Sequence, residues 1–370
     1  MPEHRFPCDN CGAQLVFAPG QTVLTCPYCG HVQDIPAGGA EEQGVALREI
    51  DYSDTVARME RGAVYEETRV LKCPNCGAET EFPEGTQATV CPFCATPLIT
   101  GTGVHRHIKP AALIPFQLSE DQARRAMTDW LGSLWFAPNG LQDYARKGRK
   151  MDGIYVPYWT FDADTTTTYQ GQRGDDYYVT KTRTVNGRTE TYQERRTRWR
   201  SVSGTVARFF NDVLVLASTS LPREHTDALE PWDLSALAPY RPDYLSGFAA
   251  EGYQVGLEDG FALAREKMDR VIEQDIRRDI GGDHQRITAK HPVLSDVTFK
   301  HVLLPVWMAA YKFQDRSFRF VVNAQTGKVQ GERPWSKWKI FFAVVLALIL
   351  AGGAAYLYQW AVANGYIRPQ

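Results

Sequence analysis

What this chain lacks narrows it first. It has no G-x-x-x-x-G-K-[ST] loop, no G-x-S-x-G elbow and no H-E-x-x-H pair. The common signatures of phosphate cradling, serine hydrolysis and zinc peptidase chemistry are therefore missing. No cysteine lies beyond Cys94, and the opening MPEHRFPCDN has no apolar h-region, so no signal peptide is expected to send the large domain outward. Asp279, Asp283 and His284 gather around Gly281-Gly282, a pattern that reads as a helix C-cap with polar loop residues rather than a hydrolytic site. The expected sets of catalytic and organic-cofactor residues are both empty, and the chain is not expected to be an enzyme.

What is present begins with the cysteines. All eight fall in two sets of identical spacing: Cys8-x2-Cys11, fourteen residues, Cys26-x2-Cys29, then Cys73-x2-Cys76, fourteen residues, Cys91-x2-Cys94. The offset of 65 also relates Gly12 to Gly77, Phe17 to Phe82, Gly20 to Gly85 and Pro27 to Pro92, an internal duplication. Two Cys-x2-Cys turns joined by a short hairpin supply the four soft tetrahedral ligands that zinc takes. A reducing cytosol disfavours the disulfide alternative. Two small β zinc ribbons are expected, over 1–33 and 71–100, holding two zinc ions. Pairing within each ribbon is favoured over cross-bracing because it closes the shorter loops. Gly12, Gly30 and Gly77 permit the positive φ of such turns, and strands are expected at Gln14–Phe17, Val23–Thr25, Glu79–Phe82 and Ala88–Val90. Each ribbon has little core, so the metal should supply most of its folding energy, on the order of 10–16 kcal/mol. His4, His31, His105 and His107 lie near these sites but are expected at the surface. The linker, 34–70, should hold a short helix and a strand.

The most apolar stretch is Ile340–Ala363, without a charge. As a helix it would be roughly 36 Å long, enough to cross a bilayer core of about 30 Å. Trp335, Trp338, Tyr356, Tyr358 and Trp360 sit near its ends as interfacial aromatics do. Lys328, Arg333, Lys337 and Lys339 precede it and only Arg368 follows, so a single span of the plasma (inner) membrane is expected, with the large N-terminal part cytoplasmic and a short tail at 364–370. Ala343, Ala347, Ala351 and Ala355 form a small-residue stripe that allows self-association, so a homo-oligomer is allowed. Overall charge is −2, but residues 1–100 carry 6 Lys+Arg against 14 Asp+Glu while residues 101–339 carry 34 against 29. Acidic ribbons would repel phosphate, so they are expected to dock a protein or pack on their own domain rather than bind nucleic acid.

The segment 101–335 reads as an α+β domain of two helix-then-strand halves. In the first, Ser119-x-x-Gln122 opens a helix with a capping box, its apolar face Ala123, Met127, Trp130, Leu131, Leu134 and Trp135, stopped by Pro138-Asn139-Gly140. A basic helical piece, Leu141–Lys150, leads to a strand over 154–161 whose Pro157 implies an edge or bulge. In the second half an amphipathic helix, Leu257–Ile280, ends at Gly281-Gly282 and is followed by the strand His301–Met308, then a hairpin of Phe318–Asn323 and Lys328–Gln330. Between the halves, 165–200 carries an Asn186-Gly187 turn and arms rich in Thr, Tyr and Arg, with eight Lys+Arg against four Asp+Glu and only Val179 and Val185 as branched aliphatics. Such a hairpin is not expected to bury a face of its own. It protrudes or lies on something else: nucleic acid, lipid phosphates or an acidic protein, its own ribbons included.

The two ribbons, Gly153–Asp162, the hairpin ending Thr197-Arg-Trp199, Arg208–Val213, Asp279–Asp283 and Lys300–Trp307 together resemble a family of bacterial membrane proteins with transcription-factor-B-type zinc ribbons. Such proteins are often labelled similar to primosomal replication helicases, yet this chain lacks the nucleotide motif a helicase needs. Some members resemble components of membrane-stress systems that accompany stomatin/flotillin-like and phage-shock-A-like proteins. The resemblance implies a zinc-binding membrane adaptor that scaffolds a cytosolic protein complex, with such proteins as partners. The competing expectation is a membrane-tethered nucleic-acid-binding protein using the basic hairpin.

Overall fold

The computed structural model describes residues 6–36, 44, 47–59, 66–73, 78–81, 88–91, 97–99, 103–136, 151–185, 188–313, 316–332 and 336–364. Three unusually long strands set the architecture: β1 (Asp152–Val185), β2 (Arg188–Leu216) and β3 (His284–Phe313). β1 lies in the middle. It pairs antiparallel with β2 from Tyr158↔Leu216 to Val185↔Arg188, and with β3 from Asp152↔Met308 to Gly174↔His284. Two further strands extend β3 at the Asp152 end, β4 (Arg316–Asn323) and β5 (Val329–Gly331), joined by a turn in which Gly327 takes φ +78°.

Among the described residues two long helices cover this sheet, α1 (Glu120–Ser133) and α2 (Leu257–Ile280), with the short helix Tyr52–Met59 packed beside α2. α2 buries Leu257, Ala264, Met268, Ile272, Ile276 and Ile280, a stripe at helical spacing, and its last turn closes where the Gly281 N–H donates to the Arg277 carbonyl at φ +62°. Beneath it Ala163, Thr165, Thr167, Tyr169 and Gly171 of β1 are buried while Asp164, Thr166, Thr168 and Gln170 are exposed. That two-residue period is the mark of a strand with one covered face. The hairpin arms therefore do bury a face over their root, contrary to expectation. The reason is that the aliphatic half of the contact comes from α2, with Val202 and Val206 of β2 packed against the same cluster. Only 175–185 and 188–198 continue past the end of β3. They form a two-stranded ribbon of roughly 35 Å at about 3.3 Å per residue.

At the other end α1 begins with the expected capping box: the Ser119 hydroxyl accepts from the Gln122 N–H, and the Ser119 N–H donates to the Gln122 side chain. It buries Ala123, Met127 and Leu131, and Trp130 meets Phe320 of β4 with ring centroids 5.4 Å apart. The helix ends at Ser133, before the Pro-Asn-Gly stop, so Trp135 leaves the apolar face expected for it and is 83% exposed. Residues 137–150, with that stop and the expected basic helix, lie outside the described residues. Pro157 is not at an edge. Its carbonyl accepts from the Ala217 N–H, so its N side faces the seam where the strand Ala249–Glu251, paired at Ile154 and Tyr155, gives way to β2 at Tyr158. The missing N–H costs no ladder bond there.

The last element, α3 (Lys337–Ala363), contains the expected apolar run. Trp338–Val362 has a mean hydropathy of 2.5, is long enough to cross a membrane, and none of it is buried against the rest of the protein. A core helix of a soluble fold would be covered.

Candidate metal centre

Phe6–Asp34 folds as two cysteine turns around a small sheet of Val16–Phe17, Val23–Thr25 and Val32–Asp34. The turns repeat one another bond for bond. Cys8 N–H donates to Ala13 O and Gly12 N–H to Cys8 O; Cys26 N–H donates to His31 O and Gly30 N–H to Cys26 O. Gly12 and Gly30 take φ of +73° and +72°, as the turn requires. The result brings Cys8, Cys11, Cys26 and Cys29 together, their sulfurs all within 4.8 Å, with Cys8 Sγ 3.6 Å from Cys29 Sγ and Cys11 Sγ 3.5 Å from Cys26 Sγ. Four sulfurs about 2.3 Å from one zinc ion would stand about 3.8 Å apart, so the cluster has the dimensions of a tetrahedral thiolate site and can hold one such ion. The thiol protons respond to one another. The His31 N–H and then the Asn10 side chain bring the Cys29 thiol down to about 6. At Cys11 the Ala13 N–H pulls down, but hydrogen bonds to the Cys29 and Cys26 sulfurs outweigh it and the thiol rises to about 12. A cation bound among the four sulfurs would displace their protons and stabilise the thiolates together.

The second cysteine set is described in part. Cys73 and Cys91 are buried, while Cys76 and Cys94 lie outside the described residues. What is described repeats the first set at the same offset. Cys73 N–H donates to Ala78 O, as Cys8 N–H does to Ala13 O. The pairing of Ala88–Val90 with Pro97–Ile99 matches that of Val23–Thr25 with Val32–Asp34, residue for residue.

Both cysteine regions sit at the base of the sheet. Phe17 N–H donates to Ser246 O, the Ser246 hydroxyl donates to Leu15 O at 2.6 Å, and Gly20 N–H donates to Phe116 O. In the second region Glu79–Glu81 pairs with Ala249–Glu251, which adjoins Ile154 and Tyr155 of β1. The basic tip lies some thirty residues farther along the strands, so among the described residues it does not rest on the acidic cysteine regions.

The chain is similar over nearly its whole length to the uncharacterized protein YdjG of Bacillus subtilis (strain 168). Identity is 28% over 368 residues, covering 94% of this chain and 98% of YdjG. No family model and no solved structure matches the chain. The likeness therefore extends over most of the chain rather than one short module.

Three of the stretches that carried the family resemblance end at one buried ionic cluster that was not anticipated. Asp162 on β1, Asp212 on β2 and Glu49 bring their carboxylates within 4.8 Å of one another. Lys300 of β3 occupies the middle, paired with Glu49 and 3.1 Å from Asp212. The Asp162 carboxylate accepts the Asp212 N–H at 2.6 Å where the β1–β2 register shifts, and Asp212 adopts φ +53°. Burial lowers the Lys300 ammonium, yet the Glu49 and Asp212 carboxylates outweigh it and hold the lysine above its usual range. The lysine is the cation of this cluster: from β3 it ties Asp212 of β2 to the Glu49 segment, and β1 joins through the Asp162–Asp212 bond. The aspartates at the register shift gave little sequence signal, because the lysine that pairs with Asp212 lies 88 residues farther on and Glu49 lies 251 residues from that lysine.

Asp279, Asp283 and His284 likewise make contacts within the fold. Tyr169 donates to the Asp279 carboxylate at 2.5 Å, the Asp176 N–H donates to Asp283, and His284 Nε2 lies 3.2 Å from the Asp176 carboxylate. They bind the end of α2 to the root of the ribbon.

On the projecting ribbon, one face carries Asp175, Tyr177, Val179, Lys181 and Arg183 of β1 opposite Tyr192, Glu194, Arg196 and Arg198 of β2; the other is mainly threonine, with Tyr178 beside Arg195. Three of the ribbon's cations, and Arg200 at its root, pair with carboxylates of the same two strands. Lys181 and Arg196 pair with Glu194, Arg195 with Asp176 and Arg200 with Asp175. The Arg198 guanidinium lies 5.1 Å over the Tyr177 ring and that of Arg183 5.7 Å over Tyr192.

Proposed function

We propose that the protein is a non-enzymatic membrane adaptor. In this reading α3 spans the plasma membrane, two zinc ribbons brace the base of a cytoplasmic rod, and the ribbon tip docks a protein of a complex held away from the bilayer. One observation carries it: β1 runs without interruption from the anchor end to a mixed-charge, tyrosine-bearing tip. Gly331 pairs with Phe320, Phe320 with Ala309, and Ala309 adjoins the Met308↔Asp152 pair, so α3 starts at the end of β1 opposite the tip. A strand of 34 residues spans roughly 110 Å, somewhat less when twisted. A projecting ribbon of exposed backbone edges and cross-strand aromatic–arginine pairs is a surface that proteins recognise by strand addition and side-chain contact.

The second cysteine set is read as a second zinc site, because its described half repeats the first. The ion pairs on the ribbon count against nucleic acid, since a phosphate backbone approaching Arg196 or Lys181 would also meet Glu194.

The test is recovery of partner proteins with the full-length protein from solubilised membranes, wild type against Tyr177→Ser/Arg183→Ser/Arg198→Ser. The variant keeps the strand pairing and should lose at least tenfold of a specific partner. Equal recovery from both proteins would overturn the docking role. Binding to DNA or RNA that falls steeply between 50 and 200 mM salt, on the order of 10³-fold, would favour the nucleic-acid reading instead.

A further inference from the structure

The exposed aromatic pair at the end of α1 has no part in the adaptor reading. Trp135 is 83% exposed and Phe136 37% exposed, although α1 itself is firmly packed through Ala123, Met127 and Leu131. Their backbones are tied to the first turn of the apolar helix. The Ser336 N–H, at the helix N-cap, donates to the Phe136 carbonyl at 2.8 Å, and the Lys339 ammonium donates to the Trp135 carbonyl at 3.2 Å. These bonds join residues about 200 positions apart and fix Trp135 at the height of Ser336–Lys339, one turn, or about 5 Å, before the charge-free run that starts at Ile340. On α3 that level is already aromatic: Trp338 is 72% exposed and contacts the Phe341 and Phe342 rings at 6.2 and 6.1 Å.

We infer that Trp135 and Phe136 form a second membrane contact, lying in the headgroup layer of the same bilayer that α3 crosses. The inference rests on the membrane-span reading of α3. Tryptophan at this depth keeps its ring in the apolar boundary and its N–H in water, the placement that makes it an interfacial residue. Lys339 supports the same depth, for its stem follows the apolar helix while its ammonium stays at the polar level. A lone spanning helix joined through a short connection lets its domain swivel. A second contact, held by hydrogen bonds to the N-cap and first turn of α3, removes that freedom. It also sets the direction of the sheet, because α1 packs on β4 and β4 on β3.

The experiment uses the full chain reconstituted in vesicles of three parts phosphatidylcholine to one part phosphatidylglycerol, in a background where Trp335, Trp338 and Trp360 are Phe. Tryptophan quenching is read with a headgroup-attached spin-labelled lipid and, separately, with aqueous acrylamide. The lipid quencher should remove a component of the emission that disappears in Trp135→Phe, and acrylamide should quench that component at least threefold less in vesicles than in detergent after gentle lipid removal. If Trp135→Phe leaves lipid quenching unchanged while acrylamide reaches the residue freely, the aromatic pair faces water and the inference is overturned. If neither quencher reaches it, a protein surface or second copy covers it, and the inference is overturned equally. The span is read separately, in the background that retains Trp360, by an acyl-chain spin label. Loss of that signal on Trp360→Phe supports the span whatever Trp135 does, and no quenching of Trp360 would remove the membrane reading itself.

Discussion

The clearest single-residue tension in the fold is Glu251. Its carboxylate is 2% exposed, accepting at one oxygen from the Ser218 hydroxyl at 2.9 Å, from the Ser220 hydroxyl and from Gln254, while the other oxygen is buried without a hydrogen bond. Burial first, with the nearby Glu79 carboxylate adding to it, pushes the group up to about 8 from an ordinary 4.5. The folded protein thus keeps a proton that the unfolded chain releases. Between about pH 4.5 and 8 the unfolded state binds fewer protons, so stability falls as pH rises, by at most about 1.4 kcal/mol per pH unit, and the loss levels off above pH 8. Denaturant unfolding at pH 5.5, 7 and 8.5 should show this slope in the wild type and a flatter one in Glu251→Gln. Parallel slopes would mean that Glu251 ionises with little cost. Nothing in the sequence near Glu251 marked it, because its burial depends on Glu79–Glu81 crossing from the second cysteine region to pair with it.

Among the elements, those governed by local chemistry were legible. The first pair of Cys-x2-Cys turns, the capping box at Ser119, the glycine stop at Gly281 and the turn at Ala324–Gly327 are each decided within a few residues, and each formed where it was expected. What could not be read was how far the strands run. Thr165, Thr167 and Tyr169 look like surface residues, and only the apolar stripe of α2, about a hundred residues later, turns them inward. Trp135 failed in the opposite sense. It continued a helical period, but the helix stopped first. The cysteine elements give the prediction proper to this scale. Cys8, Cys26, Leu15 and Phe17 are buried, and Phe17 also packs on Tyr244 at 5.3 Å, so the first ribbon holds the Pro242–Leu245 turn in place. Chelation should raise hydrogen exchange across 14–25 and 242–248 at least tenfold while leaving α2 protected. Metal analysis should find two zinc ions per chain, and one in Cys73→Ser/Cys91→Ser. A single ion in the wild type would retire the second site, and unchanged exchange at 242–248 would show that the first ribbon does not brace the sheet.

At the scale of the whole molecule, the chain builds a long lever. Lipid phosphates are one contact the sequence allows the basic hairpin, which would put its tip near the membrane. Strand pairing reverses this: α3 leaves from the Asp152 end and the ribbon tip lies at the Val185 end. With α3 in a bilayer the tip should stand on the order of 100 Å from the lipid surface, reduced by strand twist. Electron microscopy of the protein in lipid nanodiscs should show a narrow arm of that reach. A stricter test alters the length without altering the faces. Thr180–Arg183 pairs with Glu190–Gln193. Deleting both four-residue blocks preserves the alternation, since an even number of residues returns every side chain to its own face. The arm should shorten by about 13 Å, with the base, the cysteine turns and membrane insertion unchanged. An arm of unaltered reach, or a tip found against the lipid, would mean that the strands bend back. The lever would then be a clasp over the membrane surface rather than a reach away from it.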